Sequence, residues 1–141
     1  MRSFKKNNIH ILILDRGEEI VGSVINFCNE YGIKAAFVNG IGTISNITLG
    51  YFNVQDMEYK KKKFDNSYEL VSLNGNIGVT EDKLIFHPHV ALGGGDYNLI
   101  GGHLFEGAVS VTAEIFILPL DGRLIRERDK DTSLNLITKS E

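Results

Sequence analysis

Only one segment of the chain has helical hydrophobic periodicity, and this limits the folds that the chain can adopt. Apolar residues recur at helical spacing over residues 20–31 only. Glu18 and Glu19 are expected in the first turn of this helix, where negative charge suits the dipole, and Gly32 is expected to end it. Every later segment has the composition of a strand. The sequence therefore predicts one early helix followed by a sheet.

The strand-like segments are short and are separated by turn residues. They are residues 9–14, 33–38, 44–54, 68–73, 76–79, 84–92 and 109–118. Turns are expected at Asn74-Gly75, between two of these strands, and at Gly93 to Gly95. This order predicts an α+β fold with a mainly antiparallel sheet, not a repeated βαβ unit.

The length of 141 residues suits a single domain. We expect a core over residues 9–117 and a tail over residues 121–141 that adds a last strand or docks on a neighbouring subunit. The longest apolar runs are far shorter than the roughly 20 residues of a membrane helix, so no membrane segment is expected. The short apolar run near the start does not fit a signal peptide, which favours a cytoplasmic protein. Cys28, the single cysteine, is expected to be buried.

Charge argues against a dedicated nucleic-acid-binding domain. The net charge is −3, whereas non-specific affinity for phosphates needs clustered lysine and arginine. Lys60 to Lys63 form one basic run, which is more typical of a solvated loop or an edge strand than of a recognition patch. A DNA or partner contact through these lysines remains the alternative.

Three histidines supply the strongest chemical pattern. His87 and His89 are two apart on a predicted strand, so both side chains lie on one face, about 6.5 Å apart along the chain. His103 could join them from an adjacent strand, because Gly101 and Gly102 permit a bulge or a close backbone approach. Three imidazoles can hold a metal ion and leave one position open. The alternative is that these histidines are polar residues without a ligand, as expected for His10.

Two carboxylates are candidates for a base or for a hydrogen-bond partner of such a site. Glu114 lies within the predicted strand 109–118, and Glu69 lies within 68–73. A metal-bound water needs a base, and metal-bound imidazoles commonly donate their second N–H to a carboxylate. The alternative for both residues is a solvated surface position.

Several short motifs occur in an order that resembles a known family. They are Gly40-Ile41-Gly42, Leu49-Gly50-Tyr51-Phe52, residues 69–75, His87-Pro88-His89, Gly101-Gly102-His103-Leu104, Gly107 and Ala113-Glu114. Their spacing over residues 9–117 resembles the plants-and-prokaryotes-conserved (PPC) domain. The resemblance implies an α+β fold, a strongly bent antiparallel sheet and a homotrimer in the prokaryotic members.

The resemblance also bears on function. In plants the domain follows a minor-groove-binding AT-hook, and this sequence contains no such segment. The fold is similar to that of acetolactate decarboxylase and a zinc-containing ester hydrolase, which hold zinc through a His-x-His pair and a later His. His87, His89 and His103 match that pattern. The substrate-clamping arginine of the decarboxylase has no clear counterpart, and Arg16 and Arg123 are the options.

Three hypotheses follow, and whether the protein is an enzyme stays open. The first is a trimeric protein that binds a divalent transition metal, zinc before others, through His87, His89 and His103, with a position for a small anionic ligand. The second is a module that contacts DNA or a partner through Lys60 to Lys63. The third is a zinc-dependent hydrolase or lyase.

Overall fold

Nine strands form one sheet in the computed structural model, which describes residues 1–81 and 83–141. The elements are β1 Arg2–Lys6, β2 Ile9–Asp15, α1 Ile20–Glu30, β3 Ala36–Asn53, β4 Glu58–Phe64, β5 Tyr68–Thr80, β6 Lys83–Gly93, β7 Leu99–Pro119, β8 Leu124–Arg128 and β9 Asn135–Ser140. All pairings are antiparallel except a single parallel bridge between β5 and β8. The predicted α+β fold with a mainly antiparallel sheet is confirmed.

Four of the strands close into a ring. β3 pairs with both β5 and β7, and β6 also pairs with both β5 and β7. In this ring each strand pairs with two of the other three. Such a closed ring cannot be flat, so the sheet is strongly curved, as the family resemblance implied. The long strand β7 reaches β6 with its first residues and β2 with its last residues. This connectivity brings β6 and the start of β7 side by side.

The helix packs its apolar face into the core of the sheet. Ile20, Val24, Phe27 and Cys28 are at most 1% exposed and belong to one hydrophobic cluster with the buried strand residues. The helix begins at Ile20, so the prediction that Glu18 and Glu19 lie in its first turn is wrong. The Glu19 carboxylate instead caps the helix by accepting the backbone N–H groups of residues 21 and 22. Gly32 takes a left-handed φ of +66°, as expected at the end of a helix.

The predicted turn at Asn74-Gly75 is wrong, because β5 runs through both residues. Gly75 is needed for a different reason: it lies opposite Pro88 of β6, and a Cβ there would come within 2.7 Å of the His87 carbonyl oxygen. Residues 36–53 likewise form one strand where two were predicted, with a bulge between Gly40 and Gly42. The turn at Gly93 to Gly95 is confirmed, since β6 ends there and β7 follows.

The C-terminal tail forms a hairpin of β8 and β9. It joins the ring through the parallel bridge between Val79 and Ile125. The tail therefore adds two strands to the sheet, the first of the two outcomes expected for it, and the hairpin also brings Arg126 to the histidines. Among the described residues, no helix is long and apolar enough to cross a membrane.

Candidate metal centre

Strands β6 and β7 bring the three predicted histidines together. His89 lies directly opposite His103 in the antiparallel register. Phe86, Pro88 and Val90 are buried on the core face of β6, so His87 and His89 project from its other face, as the spacing predicted. Gly102 permits the close approach that was expected near His103, because a Cβ there would come within 2.8 Å of the Gly50 carbonyl oxygen.

The geometry of the cluster suits one metal ion. The Nε2 atoms of His87 and His89 are 3.2 Å apart, and one nitrogen from each of the three histidines lies within 4.8 Å of the others. Tetrahedral zinc with Zn–N bonds of 2.0–2.1 Å separates its ligand nitrogens by about 3.4 Å. His103 Nδ1 is buried and has no hydrogen-bond partner among the described residues. An unsatisfied buried nitrogen is unfavourable unless something binds it.

The electrostatics favour neutral imidazoles, the form that binds metals. Burial, reinforced by the neighbouring charges, lowers the pKa of His103 from 6.5 to about 4. Burial and the nearby Arg126 guanidinium lower the pKa of His87 as well. A donor set of three imidazoles suits zinc, copper, nickel or iron better than calcium or magnesium, which prefer oxygen. The residues present therefore fit a transition metal.

A cavity of about 350 Å³ opens onto the cluster. It is lined by Tyr59, Ile85, Phe86, His87, His89, His103, Arg126, Leu134, Asn135 and Leu136. Arg126 was not predicted as a site residue, whereas Arg16 and Arg123, the two arginines suggested by the sequence, do not line this cavity. No local signal marks Arg126, because only the docking of the β8–β9 hairpin beside β5 brings it to the histidines.

Arg126 is 5% exposed and well positioned by its neighbours. Its guanidinium donates to Asn76 Oδ1 at 2.5 Å and to the Asn135 carbonyl at 2.7 Å. The same Nη2 atom lies 3.5 Å from His87 Nδ1. Arg126 Nε is buried without a hydrogen-bond partner among the described residues, and burial lowers the pKa of the side chain.

The two carboxylates proposed from sequence lie together, but in another cavity. Glu69 and Glu114 line a space of about 500 Å³ with Ile41, Thr43 and Thr112. None of the three histidines lines that space. The roles of Glu69 and Glu114 at a metal therefore stay predictions.

The lysine run lies on β4, which pairs with β3 and with no other described strand. This confirms the interpretation as an edge strand. Lys60 forms an ion pair with Asp56 at 2.8 Å, and Lys61 Nζ lies 3.8 Å above the Phe105 ring. Successive lysines of a strand also point to opposite faces, so the four charges do not form one patch.

A curved antiparallel sheet with one helix and three clustered histidines defines an α+β domain with a candidate metal centre. Residues 1–121 match the family model described as the Plants and Prokaryotes Conserved (PCC) domain. The chain belongs to this family, as the motifs indicated. A search among curated proteins found no match.

Three solved structures share this fold across nearly the whole chain. A plant- and prokaryote-conserved protein from Pyrococcus horikoshii is 36% identical, with 99% of this chain and 95% of that chain covered and a TM-score of 0.88. A metal-containing protein from Archaeoglobus fulgidus is also 36% identical, with 96% of each chain covered and a TM-score of 0.88. A protein from Bacteroides thetaiotaomicron, described as a candidate DNA-binding protein, is 31% identical, with 97% and 96% covered and a TM-score of 0.94.

Proposed function

We propose that this protein binds a divalent transition metal, zinc before others, through His87, His89 and His103. The observation that carries the proposal is the convergence of one imidazole nitrogen from each of three histidines within 4.8 Å. His103 also has a buried Nδ1 with no hydrogen-bond partner among the described residues. The metal-containing relative from Archaeoglobus fulgidus supports it. Three protein ligands leave a fourth position for water or a small ligand, and a metal there would act as a Lewis acid.

Metal content per chain tests this proposal. We would measure it by mass spectrometry on untagged protein purified without added metal or chelator, and again after zinc titration. Wild-type protein should hold close to one metal per chain, and the double variant His87→Ala/His89→Ala should hold none. His10→Gln is the matched control, because His10 packs edge-on against the Phe27 and Tyr31 rings and is not part of the cluster. Equal metal in the double variant, or none in the wild type after titration, would reject the site.

A zinc-dependent hydrolase or lyase is the second candidate. The cavity of about 350 Å³ beside the histidines favours it, because a purely structural metal site would be closed. The test is turnover of simple esters and of 2-oxo or 2-hydroxy acids, with loss of turnover on adding a chelator. Turnover that survives the chelator and the double variant would exclude this reading. Glu69 and Glu114 remain candidates for a base in such a reaction.

The support for a DNA-binding role is weaker than the support for metal binding. Such a role is supported by the relative described as a candidate DNA-binding protein and opposed by the net charge of −3. Lys62 and Lys63 form no ion pair among the described residues, so they are the lysines to neutralise. A salt-dependent gel shift that Lys62→Gln/Lys63→Gln abolishes would support DNA binding, and no shift at low salt would count against it.

We also propose that the chain assembles as a cytoplasmic homotrimer. Phe37, Ile41, Phe116 and Leu118 are between 37% and 53% exposed on adjacent strands β3 and β7, and such an apolar surface is typical of an interface. The number three comes from the family resemblance. Light scattering coupled to size exclusion would give the mass relative to the 15.7 kDa chain. A monomer would contradict the assembly without affecting the metal site.

A further inference from the structure

Within the described part of the chain, Arg126 is a buried cation with no hydrogen bond or ion pair to a carboxylate. Its acceptors are the neutral Asn76 amide oxygen and the Asn135 carbonyl oxygen, and its third neighbour is His87. A buried charge without a counter-charge is unfavourable unless a partner supplies one.

No Asp or Glu among the described residues lines the cavity that Arg126 shares with the histidines. Arg126 also borders a second cavity with Glu81 and Glu127, but neither of these described carboxylates forms an ion pair with it, and Glu127 pairs with Lys139. A ligand entering the histidine cavity can therefore supply the missing negative charge.

A bound metal would increase the excess of positive charge. The three neutral imidazoles contribute none, so a divalent ion and the Arg126 guanidinium would together give the cavity a charge of +3. If His87 binds the metal through Nε2, the atom that faces His89, its proton lies on Nδ1. Nδ1–H and the Arg126 guanidinium would then both be donors 3.5 Å apart, and neither could satisfy the other. An oxyanion could accept from both.

The other residues that line the cavity indicate what kind of molecule the anionic group belongs to. Ile85, Leu134, Leu136 and the Tyr59 ring line the cavity, and its volume of about 350 Å³ is at the small end of ligand pockets. These apolar walls suit a short aliphatic body better than a phosphate, which needs polar partners on every side. A planar guanidinium also matches the geometry of a carboxylate.

We propose that this cavity binds a small aliphatic carboxylate, that Arg126 provides the compensating charge, and that the carboxylate and the metal bind cooperatively. The inference rests on the proposed metal site. Cooperativity follows because each ligand improves the electrostatic environment of the other, and by linkage the effect on affinity is the same in both directions.

The test is the zinc affinity of the whole chain, measured by competition with a chromophoric chelator in chloride-free buffer. Isobutyrate should increase this affinity on the order of tenfold, within the usual range of allosteric coupling. Isobutyramide, its neutral isostere, should have no effect. In Arg126→Gln the response to isobutyrate should disappear. Arg128→Gln is the matched control, since it removes an exposed arginine from the same strand and should keep the response.

Each other outcome has a defined meaning. Zinc binding that isobutyrate does not strengthen in the wild type would overturn the carboxylate proposal and leave the metal site standing. Coupling to inorganic phosphate in place of isobutyrate would overturn the assignment to carboxylates. A wild type that binds no zinc under any condition would reject the metal site and this inference together. If Arg126→Gln does not fold, two other measurements replace it. A response to isobutyrate but not to isobutyramide in the wild type, and a weaker response in Arg126→Lys, would support the proposal. Equal responses to the two compounds, or an unchanged response in Arg126→Lys, would overturn it.

Discussion

His89 of β6 lies directly opposite His103 of β7, and the ring closure of the sheet makes this pairing possible. Without the pairing of β6 to β7, His103 would belong to a separate strand with no relation to the His87-Pro88-His89 segment. The candidate metal centre is therefore a product of the closed topology together with the two-residue spacing on β6.

Replacing Gly75 with alanine should destabilise the protein. A Cβ at this position would lie 2.7 Å from the His87 carbonyl oxygen and 3.0 Å from Pro88 Cα, both on the histidine strand. Forcing β5 and β6 apart should lower the free energy of unfolding by about 1–3 kcal/mol. Gly95→Ala is the control, because nothing lies within 4 Å of its added Cβ, and it should change stability by about 0.5 kcal/mol or less. Urea denaturation measures both values, and equal effects would contradict the close approach.

The metal-free protein should lose stability in mild acid. Burial lowers the pKa of His103 from 6.5 to about 4, so between these values the unfolded chain holds a proton that the folded chain does not. The free energy of unfolding should therefore fall as the pH drops through this window, by up to about 3 kcal/mol from this group. Below about pH 4 both the folded and the unfolded chain hold the proton on His103, so the loss of stability from this group is complete.

Urea unfolding in the presence of chelator, above and within this pH window, measures the effect. The lowered pKa of His87 also reduces stability in acid, so the variant His103→Gln is needed to separate the effect of His103 from that of His87. The variant should lose less stability than the wild type on acidification. Parallel losses in the two proteins would show that His103 titrates normally in the folded state.

Cys28 should be unreactive in the folded protein. Its side chain is fully buried on α1, and burial raises the pKa of the thiol to about 12. Since the thiolate is the reactive form, a chromogenic disulfide reagent should label it only after unfolding. Rapid labelling under native conditions, at a rate that denaturant does not increase, would show that the helix face is open to solvent.

Local patterns determined much of the fold and part of the site. Alternation placed His87 and His89 on one face, and helical spacing identified α1. The same rules failed at Asn74-Gly75, because a glycine that permits two strands to approach closely has the same local sequence as a glycine in a turn. Only the pairing of β5 with β6 distinguishes the two cases.

The contribution of the tail could not be predicted from local sequence. Arg126 lies in a short strand that also contains the charged residues Glu127 and Arg128, and its burial depends on β8 docking beside β5. Glu69 and Glu114 show the opposite case. Both were found as unusual carboxylates within strands, yet Glu69 pairs with Thr43 and Glu114 with Ile41, on either side of β3, and both border a different cavity. Long-range register, which a single sequence does not reveal, decides both.

X-ray absorption at the zinc edge of the zinc-loaded protein tests the central claim most directly. The account predicts one zinc per chain with three imidazole nitrogens at about 2.0–2.1 Å and one water or small-ligand oxygen in the fourth position. The three-imidazole signature should be lost in His103→Ala. A spectrum dominated by oxygen ligands, an unchanged spectrum in His103→Ala, or failure of the wild type to load zinc would contradict it.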